Sequence, residues 1–276
     1  NITGYLDEHP DSFSEFRQML TIADCDRFLS AYGNYTLFLP TNDAVDAYLK
    51  QVSKASVTDL DPKEVTDIVR FHILSDSLYT ISFTDGKLPV LTLYGQYLTT
   101  GVTNVDGNSS ITVNRQASIV QGNIRTGNGV IHVINHLLVP AQHTVAQLIE
   151  NDPRYSIFTQ VLKATGLYDS LNVLPADNPD SLTRWQTVLA ESDSTFQAAG
   201  FSDYGALAAA YSNTGNPLDP DDSLHLFMDY HILYGANYLA DIVSAASFST
   251  RAPSQVITTK EINDSILVND DVFNGV

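Results

Sequence analysis

The chain of 276 residues has almost no cysteine and no long apolar run. Cys25 is its single cysteine, so no intramolecular disulfide can form, which excludes a disulfide-stapled extracellular scaffold. No run of about 18 apolar residues occurs, so no membrane span is predicted. No charged segment followed by an apolar one opens the chain, so no signal peptide is recognisable; a mature or trimmed protein would look the same.

Basic side chains are scarce as well. The sequence has 14 Lys and Arg against 32 Asp and Glu, which gives a formal net charge of -18. A surface of this charge repels phosphate backbones, so the composition argues against a nucleic-acid partner. Cationic partners and divalent ions stay compatible with it.

Motifs for catalysis and cofactor binding are missing. The chain contains no Gly-x-Ser-x-Gly, no cysteine with an evident histidine partner and no phosphate-binding glycine loop. His132 and His136 have the i, i+4 spacing of helical metal ligands, but in a strand four residues span about 13 Å, so the two rings cannot share an ion. The acidic loop of Asp219, Asp221 and Asp222 lacks the alternating ligands and turn glycine of an EF-hand and is interpreted as a solvated helix cap. We therefore predict no catalytic residue, no cofactor and no metal site.

The chain length and the 43% hydrophobic content favour two domains with packed cores. An apolar stripe predicts a first helix over residues 12–20. Asp24 is predicted to cap a second helix that ends at Gly33. The inward face of that helix would carry Cys25, Phe28, Leu29 and Tyr32, so Cys25 is interpreted as an inert core thiol.

Two short apolar segments bounded by turn residues predict buried strands. They are residues 35–42 (YTLFLPTN) and residues 128–140 (NGVIHVINHLLVP). In the first, Pro40-Thr41-Asn42 ends the strand and offers side-chain oxygens to the amides of a following helix. In the second, Asn128-Gly129 supplies a turn before the strand.

A further helix is predicted to begin at Asp61-Pro62-Lys63-Glu64, which combines a capping Asp, a Pro at the first helical position and a Glu at the capping-box position. Its apolar stripe runs to His72, at the helix end, where an imidazole can bond a free carbonyl. His72 is therefore interpreted as a structural histidine.

The apolar period changes from 3.6 to 2 over residues 78–139, with Asp85-Gly86 and Asp106-Gly107 as hairpin signals. Residues 88–99 and 111–121 are predicted to be strands of an antiparallel sheet. A helical half followed by a sheet half is typical of an α+β domain.

The second half of the chain repeats the first. A linker at residues 139–143 leads to a capping box of Thr144 with Gln147. Four later segments then match earlier ones: residues 186–189 match 35–38, Asp219-Pro220 matches Asp61-Pro62, Tyr230-His231-Ile232-Leu233 matches Phe71-His72-Ile73-Leu74, and Asn274-Gly275-Val276 matches Asn128-Gly129-Val130. This tandem repeat predicts a first domain at residues 1–140 and a second at residues 141–276.

The second copy differs from the first in three ways. Glu191-Ser192-Asp193 replaces Pro40-Thr41-Asn42, which keeps a capping hydroxyl, and an additional helix is predicted around residues 202–211. Because Val276 stops where the first copy continues into a strand, the second domain is predicted to lack its last strand, and the chain to continue. His231 completes a helical stripe and is interpreted as structural, like His72.

The segments YTLFLPTN and NGVIHVI resemble the two signature boxes of the fasciclin-like (FAS1) family. The resemblance implies two tandem FAS1-like modules, each a wedge of mainly antiparallel strands packed with several helices, and an adhesive role without catalysis. Phe71, His72, Ile73 and Leu74 resemble a segment associated with integrin contact in some animal members, although Phe71 replaces the usual Tyr. With Tyr230, His231, Ile232 and Leu233 of the second copy, these residues are the predicted partner-binding site.

The acidic composition and the lone cysteine resemble the bacterial branch of this family, which is exported and often lipid-anchored. The predicted function is therefore a non-catalytic adhesion or ligand-binding protein, extracellular or at the cell surface. Its partner would be a protein or a glycan, and it would meet the membrane only through an N-terminal lipid anchor outside this sequence. Two alternatives stay open: a structural spacer or accessory component of a surface polysaccharide-handling complex, and a hydrolase of unrecognised geometry.

Overall fold

The computed structural model describes residues 1–105, 107–263 and 265–269. The chain divides into two compact units, Asn1–Pro140 (unit 1) and Ala141–Val276 (unit 2). Asn274-Gly275-Val276, predicted to open a last strand, lies outside the described residues. None of the helices in the described ranges is long and apolar enough to cross a membrane.

Unit 1 begins with helices and ends with a sheet. Its helices are α1 (Ile2–Glu8), α2 (Pro10–Ile22), α3 (Asp26–Ser30), α4 (Asn42–Gln51) and α5 (Pro62–Phe71). Its strands are β1 (Tyr35–Pro40), β2 (Ile73–Leu74), β3 (Gly86–Lys87), β4 (Thr99–Val105), β5 (Asn108–Val113), β6 (Ala117–Thr126) and β7 (Gly129–Ile134). The sheet order is β2-β1-β7-β6-β5-β4-β3, with β1 and β7 parallel and the other neighbours antiparallel. The predicted α+β class is confirmed.

The two predicted box segments form the middle of this sheet. β1 runs beside β7 from the pair Tyr35 and Gly129 to the pair Pro40 and Ile134, and both strands are buried after their first residue. Leu37 and Leu39 face one core with the helices, while Phe38 faces a second core on the other side of the sheet. Burial on both faces explains why these segments are almost continuously apolar.

The predicted caps of α4 and α5 are confirmed. The Thr41 hydroxyl accepts from the amide of Ala44 at 3.2 Å, and Asp61 Oδ1 accepts from the amides of Lys63 and Glu64 at 2.8 and 3.4 Å. These bonds satisfy amides that have no partner within the helix.

The prediction around α3 is partly wrong. Asp24 has a φ of 51° and lies before the N-terminal cap, which is Cys25. The helix ends at Ser30, and its C-terminal cap is Ala31 rather than Gly33. Tyr32 is fully exposed instead of facing inward. The helix is too short to carry the predicted four-residue stripe, but Cys25 is buried in the core, as predicted.

Residues 88–99 were predicted as a strand, and this is wrong for all but Thr99. The segment folds back on itself: the amide of Leu88 donates to Leu98 O at 2.8 Å, and that of Thr92 donates to Gln96 O at 3.0 Å. Gly95, with a φ of 92°, permits this turn, since other residues rarely adopt such a φ. The apolar alternation was therefore misleading as a strand signal.

Unit 2 also begins with helices. They are α6 (Val145–Glu150), α7 (Ser156–Ala164), α8 (Leu167–Leu171), α9 (Asp193–Ala198), α10 (Tyr204–Tyr211), α11 (Ser223–Tyr230) and α12 (Leu239–Ser244). Its strands are β8 (Gln186–Val188), β9 (Ile232–Tyr234), β10 (Ser247–Ser249), β11 (Val256–Ile262) and β12 (Ser265–Val268). Among the described residues, β8 pairs with β9, and β10, β11 and β12 form a second sheet. The predicted additional helix is α10.

Caps in unit 2 follow the prediction at α6 and α9 but not at α11. Thr144 and Gln147 form the capping box, and Ser192 accepts from the amide of Thr195. The cap of α11 is Asp222, not Asp219, and it is buried rather than solvated. Burial opposes ionisation of Asp222, but hydrogen bonds from Thr214, Ser212 and the amide of Leu224 outweigh it and lower its pKa to about 2.

The strand registers establish the internal repeat. Thr36 pairs with Leu74 and Leu37 with Ile73; in unit 2, Thr187 pairs with Leu233 and Val188 with Ile232. The amide of Phe38 donates to His72 O at 3.0 Å, and that of Leu189 donates to His231 O at 2.9 Å. The predicted equivalence of Thr36 with Thr187 and of His72 with His231 is confirmed.

Candidate partner-binding site

The predicted contact residues of unit 1 are buried. Phe71, His72, Ile73 and Leu74 are each at most 1% exposed, so in this conformation their side chains cannot touch a partner. Partner contact therefore stays a prediction, and it would involve the residues that follow this segment. The buried residues hold the loop of residues 75–82 in place.

His72 joins α5 to the segment after β7. Its Nδ1 donates to Ile68 O at 2.8 Å, and its Nε2 accepts from the amide of Leu138 at 3.0 Å. Burial lowers the pKa of His72 to about 4, against a smaller opposing effect of the bond to Ile68. The ring is neutral and fully bonded, which agrees with the structural interpretation.

The chain leaving β2 is held by Thr36 of β1. The buried Thr36 hydroxyl donates to Asp76 O at 2.6 Å and accepts from the amide of Leu78 at 2.8 Å. One side chain thus satisfies a backbone carbonyl and a backbone amide of the same loop. These two bonds fix the direction in which residues 75–82 leave β2.

His132 of β7 fixes the next part of the same loop. Its Nε2 donates to Leu78 O at 2.8 Å, and its Nδ1 accepts from the amide of Asn123 at 3.2 Å. Burial lowers the pKa of His132, and the bond to Leu78 opposes this effect. His132 is therefore a buried tether, while His136 is exposed and bonds to Asn135.

A bulged part of β6 completes this support. The register of β6 shifts between Ile119 and Ile124, and Asn123 has a φ of 63°. The Asn123 side chain accepts from the amide of Thr80 at 2.9 Å and donates to its hydroxyl at 2.6 Å. A bulge of this kind re-aims side chains without breaking the sheet.

The supported loop presents an exposed aliphatic side chain. Ile81, in the short 3₁₀ turn Thr80–Ser82, is 96% exposed, and Val120 on the bulged strand is 59% exposed. Close to Ile81 in sequence, the Tyr79 ring has the guanidinium of Arg125 at 5.3 Å from its centre. The loop therefore carries an exposed aliphatic side chain and, two residues earlier, an aromatic ring in contact with a cation.

The corresponding residues of unit 2 are less deeply covered. Ile232 and Leu233 are fully buried, while Tyr230 and His231 are partly exposed. The Tyr230 hydroxyl donates to Val256 O at 3.2 Å. His231 Nδ1 donates to Phe227 O at 2.8 Å, and its Nε2 lies 3.0 Å from Glu191 Oε1, so a carboxylate stands where unit 1 has the amide of Leu138.

Unit 2 repeats the threonine-held loop. The Thr187 hydroxyl donates to Gly235 O at 2.8 Å and accepts from the amide of Asn237 at 2.9 Å. The loop leads directly into α12, whose first residue, Leu239, is 59% exposed. Each unit therefore carries an exposed aliphatic residue shortly after the same pair of hydrogen bonds.

A buried polar cluster in unit 2 is the strongest other candidate for chemistry. Arg251 Nε lies 3.2 Å from Asp229 Oδ1, and His225 Nε2 lies 3.6 Å from Asp229 Oδ2. Burial raises the pKa of Asp229, while Arg251 and His225 oppose this effect. Ser170 Oγ accepts from Arg251 and donates to Leu167 O, so it is not paired with His225 as a nucleophile would be.

Metal ligands do not converge in the part of the chain that the structure describes. Across residues 1–105, 107–263 and 265–269, no three His, Cys, Asp or Glu side chains are grouped to hold an ion.

The loop residues Ile81 and Leu239 were not singled out from the sequence. Ile81 lies between two polar residues, in Thr80-Ile81-Ser82, and this is a local signal that could have drawn attention to it. Leu239 follows Asn237-Tyr238 and resembles an ordinary helix residue. Their exposure depends on loop geometry that no short pattern encodes.

Several known proteins are similar to this chain. A family model described as the Fasciclin domain matches residues 11–140. Human periostin is 32% identical over 165 residues, covering 59% of this chain and 19% of periostin, so the chain spans less than two thirds of that relative. Protein sll1483 of Synechocystis is 29% identical over 130 residues, covering 47% of this chain and 68% of that protein. A solved FAS1 domain pair from the insect cell adhesion molecule Fasciclin I covers 92% of this chain and 87% of its own, with 19% identity and a TM-score of 0.38.

Proposed function

We propose that this chain is a non-catalytic adhesion or ligand-binding protein, because the Fasciclin domain model matches its residues 11–140. Resemblance to that family implies an adhesive role with macromolecular partners. For this chain, the absence of catalysis and the binding of a protein or glycan are the proposal.

One observation carries the proposal: both units present an exposed aliphatic side chain on a loop fixed by an equivalent threonine. Ile81 is 96% exposed and Leu239 is 59% exposed, and each lies on a backbone whose polar groups are bonded to a strand. Exposed apolar residues on rigid supports are suited to partner contact, because little entropy is lost when they are covered.

For unit 1 we propose a contact surface at residues 75–82 and the bulge of β6, next in sequence to the predicted Phe71–Leu74 segment. For unit 2 we propose residues 234–239, next in sequence to Tyr230–Leu233. Two related surfaces on one chain suit a repetitive partner, since the second contact is then intramolecular.

The expected setting is the cell surface, with attachment through a lipid anchor outside this sequence. The relative in Synechocystis supports a bacterial version of the family. The net charge of -18 favours a partner with basic groups or an uncharged glycan, and charge-assisted binding would weaken as salt rises.

The test is an array of glycans and matrix proteins probed with the wild type, Ile81→Ser, Leu239→Ser and the double variant. Leu148→Ser is the matched control, because Leu148 is 57% exposed but belongs to α6 and to neither loop. We expect each single variant to bind about tenfold more weakly, the double variant to lose binding and the control to bind as the wild type does.

Three results would contradict the proposal. Unchanged binding by the double variant would remove the two loops from the contact. A wild type that binds nothing on the array would favour the structural spacer, and turnover of a hydrolase substrate that survives purification would favour an enzyme.

A further inference from the structure

The contact surface proposed for unit 1 belongs to the part of the chain that is poorest in carboxylates. Of the 32 acidic residues, only Asp85 and Asp106 fall within residues 77–149. Residues 77–82 of the loop and 119–125 of β6 contain none. Asp76, at the start of the loop, accepts from the amide of Ser77 at 2.8 Å. These two segments therefore set no carboxylate of their own against an approaching anion.

Arg125 is the one cation of these two segments, and its guanidinium has no carboxylate partner within the part of the chain that the structure describes. Four other arginines each have a carboxylate oxygen at 2.6 to 3.6 Å: Arg17, Arg27, Arg154 and Arg251. Because Arg125 is exposed, its N–H donors are open to solvent. It is therefore available to pair with a carboxylate from outside the chain.

The Tyr79 ring positions this guanidinium. Arg125 lies over the ring, 5.3 Å from its centre. The residues on either side of Tyr79, which are Leu78 and Thr80, are both bonded to the sheet. A guanidinium placed over a ring keeps its planar fork of donors free for a carboxylate, and the rigid support reduces the entropy lost on binding.

Ile81 determines what fits beside that carboxylate. It is 96% exposed and lies two residues after Tyr79, so the Cα atoms of the two residues are at most about 7 Å apart. In an extended peptide, side chains two positions apart point to the same face and are separated by about the same distance. A segment with an acidic residue two positions from an aliphatic one therefore matches the spacing of this surface.

We propose that this surface binds an extended segment of a protein partner, in which a carboxylate pairs with Arg125 and a neighbouring aliphatic side chain covers Ile81. This inference rests on the proposed function and names the chemistry of its partner. A protein is favoured over an acidic glycan because Ile81 offers aliphatic surface and because the ring face on which a sugar would stack is occupied by Arg125. The net charge of -18 repels a strongly acidic protein, so the acidic element of the partner is short.

The probe is a nine-residue peptide with a central aspartate, an isoleucine two positions before it and another two positions after it, and serine and glycine elsewhere. The two isoleucines make the contact independent of the direction of the peptide. Its matched control has asparagine in place of aspartate, which keeps the shape and removes the charge. Each peptide is titrated into the intact 276-residue chain and followed by nitrogen-15 NMR. The Nε–H signal of Arg125 is identified by its absence from Arg125→Gln.

We expect the wild type to bind the aspartate peptide about fivefold more tightly than the asparagine peptide, since an exposed charge-assisted bond adds about this much. The Arg125 signal should shift with the aspartate peptide. Arg125→Gln should bind the two peptides equally. Arg27→Gln is the matched control, because it makes the same change of charge at an exposed arginine of α3 and should keep the preference.

Three results would overturn this inference. One is equal binding of the two peptides by the wild type, or binding of neither. Another is a preference for aspartate that survives in Arg125→Gln. The third is binding of oligogalacturonate, an acidic glycan, that depends on Arg125 while the aspartate peptide is not preferred, because the partner would then be a glycan.

Ile81→Ser separates this inference from the proposed function. It should weaken the binding of both peptides alike and leave the preference for aspartate unchanged. Unchanged binding by Ile81→Ser would contradict the aliphatic contact on which the proposed function depends. Loss of the preference in the wild type would contradict the Arg125 contact alone.

Discussion

The two equivalent histidines carry different hydrogen-bond roles. His72 donates through Nδ1 and accepts through Nε2, so its ring is neutral. The ring nitrogens of His231 face the carbonyl of Phe227 and the carboxylate of Glu191. One position in the repeat therefore has a backbone amide as its second partner in unit 1 and a carboxylate in unit 2.

Unit 1 should lose stability in mild acid because of His72. Its pKa is about 4 in the folded protein, against an ordinary value of 6.5, so the unfolded chain takes up a proton first as the pH falls. The stabilisation by the neutral ring is complete above the ordinary pKa of 6.5, and it is lost progressively as the pH falls from there to about 4. We expect a loss of about 3 kcal/mol in the free energy of unfolding.

Urea denaturation at pH 7, 5.5 and 4.5 measures this loss. His72→Asn removes the titrating ring and should flatten the pH dependence, while His143→Asn, at an exposed position, should leave it unchanged. If the free energy of unfolding of His72→Asn falls with pH as steeply as that of the wild type, His72 is not the cause of the loss in acid.

The contact between His231 and Glu191 in unit 2 responds to acid differently. The hydrogen bond from His231 lowers the pKa of Glu191. Its contribution to stability is therefore complete above the ordinary carboxyl pKa and is lost as the pH falls from that value to the lowered one.

The pairing of strands β1 and β7 depends on a close approach of their backbones. A Cβ added to Gly129 of β7 would lie 2.1 Å from Tyr35 O of β1. Gly129→Ala must push the two strands apart, and we expect it to destabilise unit 1 by about 3 kcal/mol or more.

The control for this variant is two residues away. Gly127→Ala would place its Cβ in open space, with nothing within 4 Å, and should change the unfolding free energy by less than about 1 kcal/mol. Thermal or urea unfolding of the two variants makes the comparison, and equal stability would show that the strands separate at little cost.

The sequence predicted elements whose signals are local. Thr41, Asp61, Thr144 and Ser192 cap helices as expected, because a capping oxygen and the amides it binds lie within three residues of each other. The apolar runs around Leu37 and Ile131 predicted buried strands, because burial on both faces leaves a continuous signal.

Predictions failed where the deciding contacts are distant in sequence. Asp222 caps α11 instead of Asp219 because it is bound by Ser212 and Thr214, eight to ten residues earlier. Partner contact at Phe71–Leu74 stays a prediction; these side chains are buried, which a motif does not reveal because it marks a position in the sequence and not its exposure. The exposure of Ile81 depends on bonds from Asn123, 43 residues from Thr80.

At the scale of the whole molecule, the charge is unevenly divided. Unit 1 has 15 acidic and 9 basic side chains, a net of -6, and unit 2 has 17 and 5, a net of -12. Like charges on one compact unit repel each other, and salt screens this repulsion over about 10 Å at 0.1 M. We expect salt to stabilise unit 2 more than unit 1.

Trp185, the single tryptophan, lies in unit 2 and makes this measurable. Urea unfolding followed by tryptophan fluorescence reports unit 2, and far-UV circular dichroism reports both units. When sodium chloride is raised from 20 mM to 500 mM, the urea midpoint of unit 2, read by fluorescence, should rise more than the midpoint of unit 1. The midpoint of unit 1 is read from the part of the circular dichroism change that does not coincide with the fluorescence change. A larger rise for unit 1 than for unit 2 would contradict the expectation.

Chemical labelling of the lone thiol, Cys25, reports how often unit 1 opens. It is 1% exposed, and burial raises its pKa, so a thiol reagent in solution cannot reach a reactive thiolate while the unit is closed. Each modification of the native protein then records one opening of unit 1, and the rate of labelling counts those openings. Oxidative cross-linking of two molecules is limited by the same event, so the chain can pass through an oxidising environment without forming covalent dimers for as long as unit 1 remains folded.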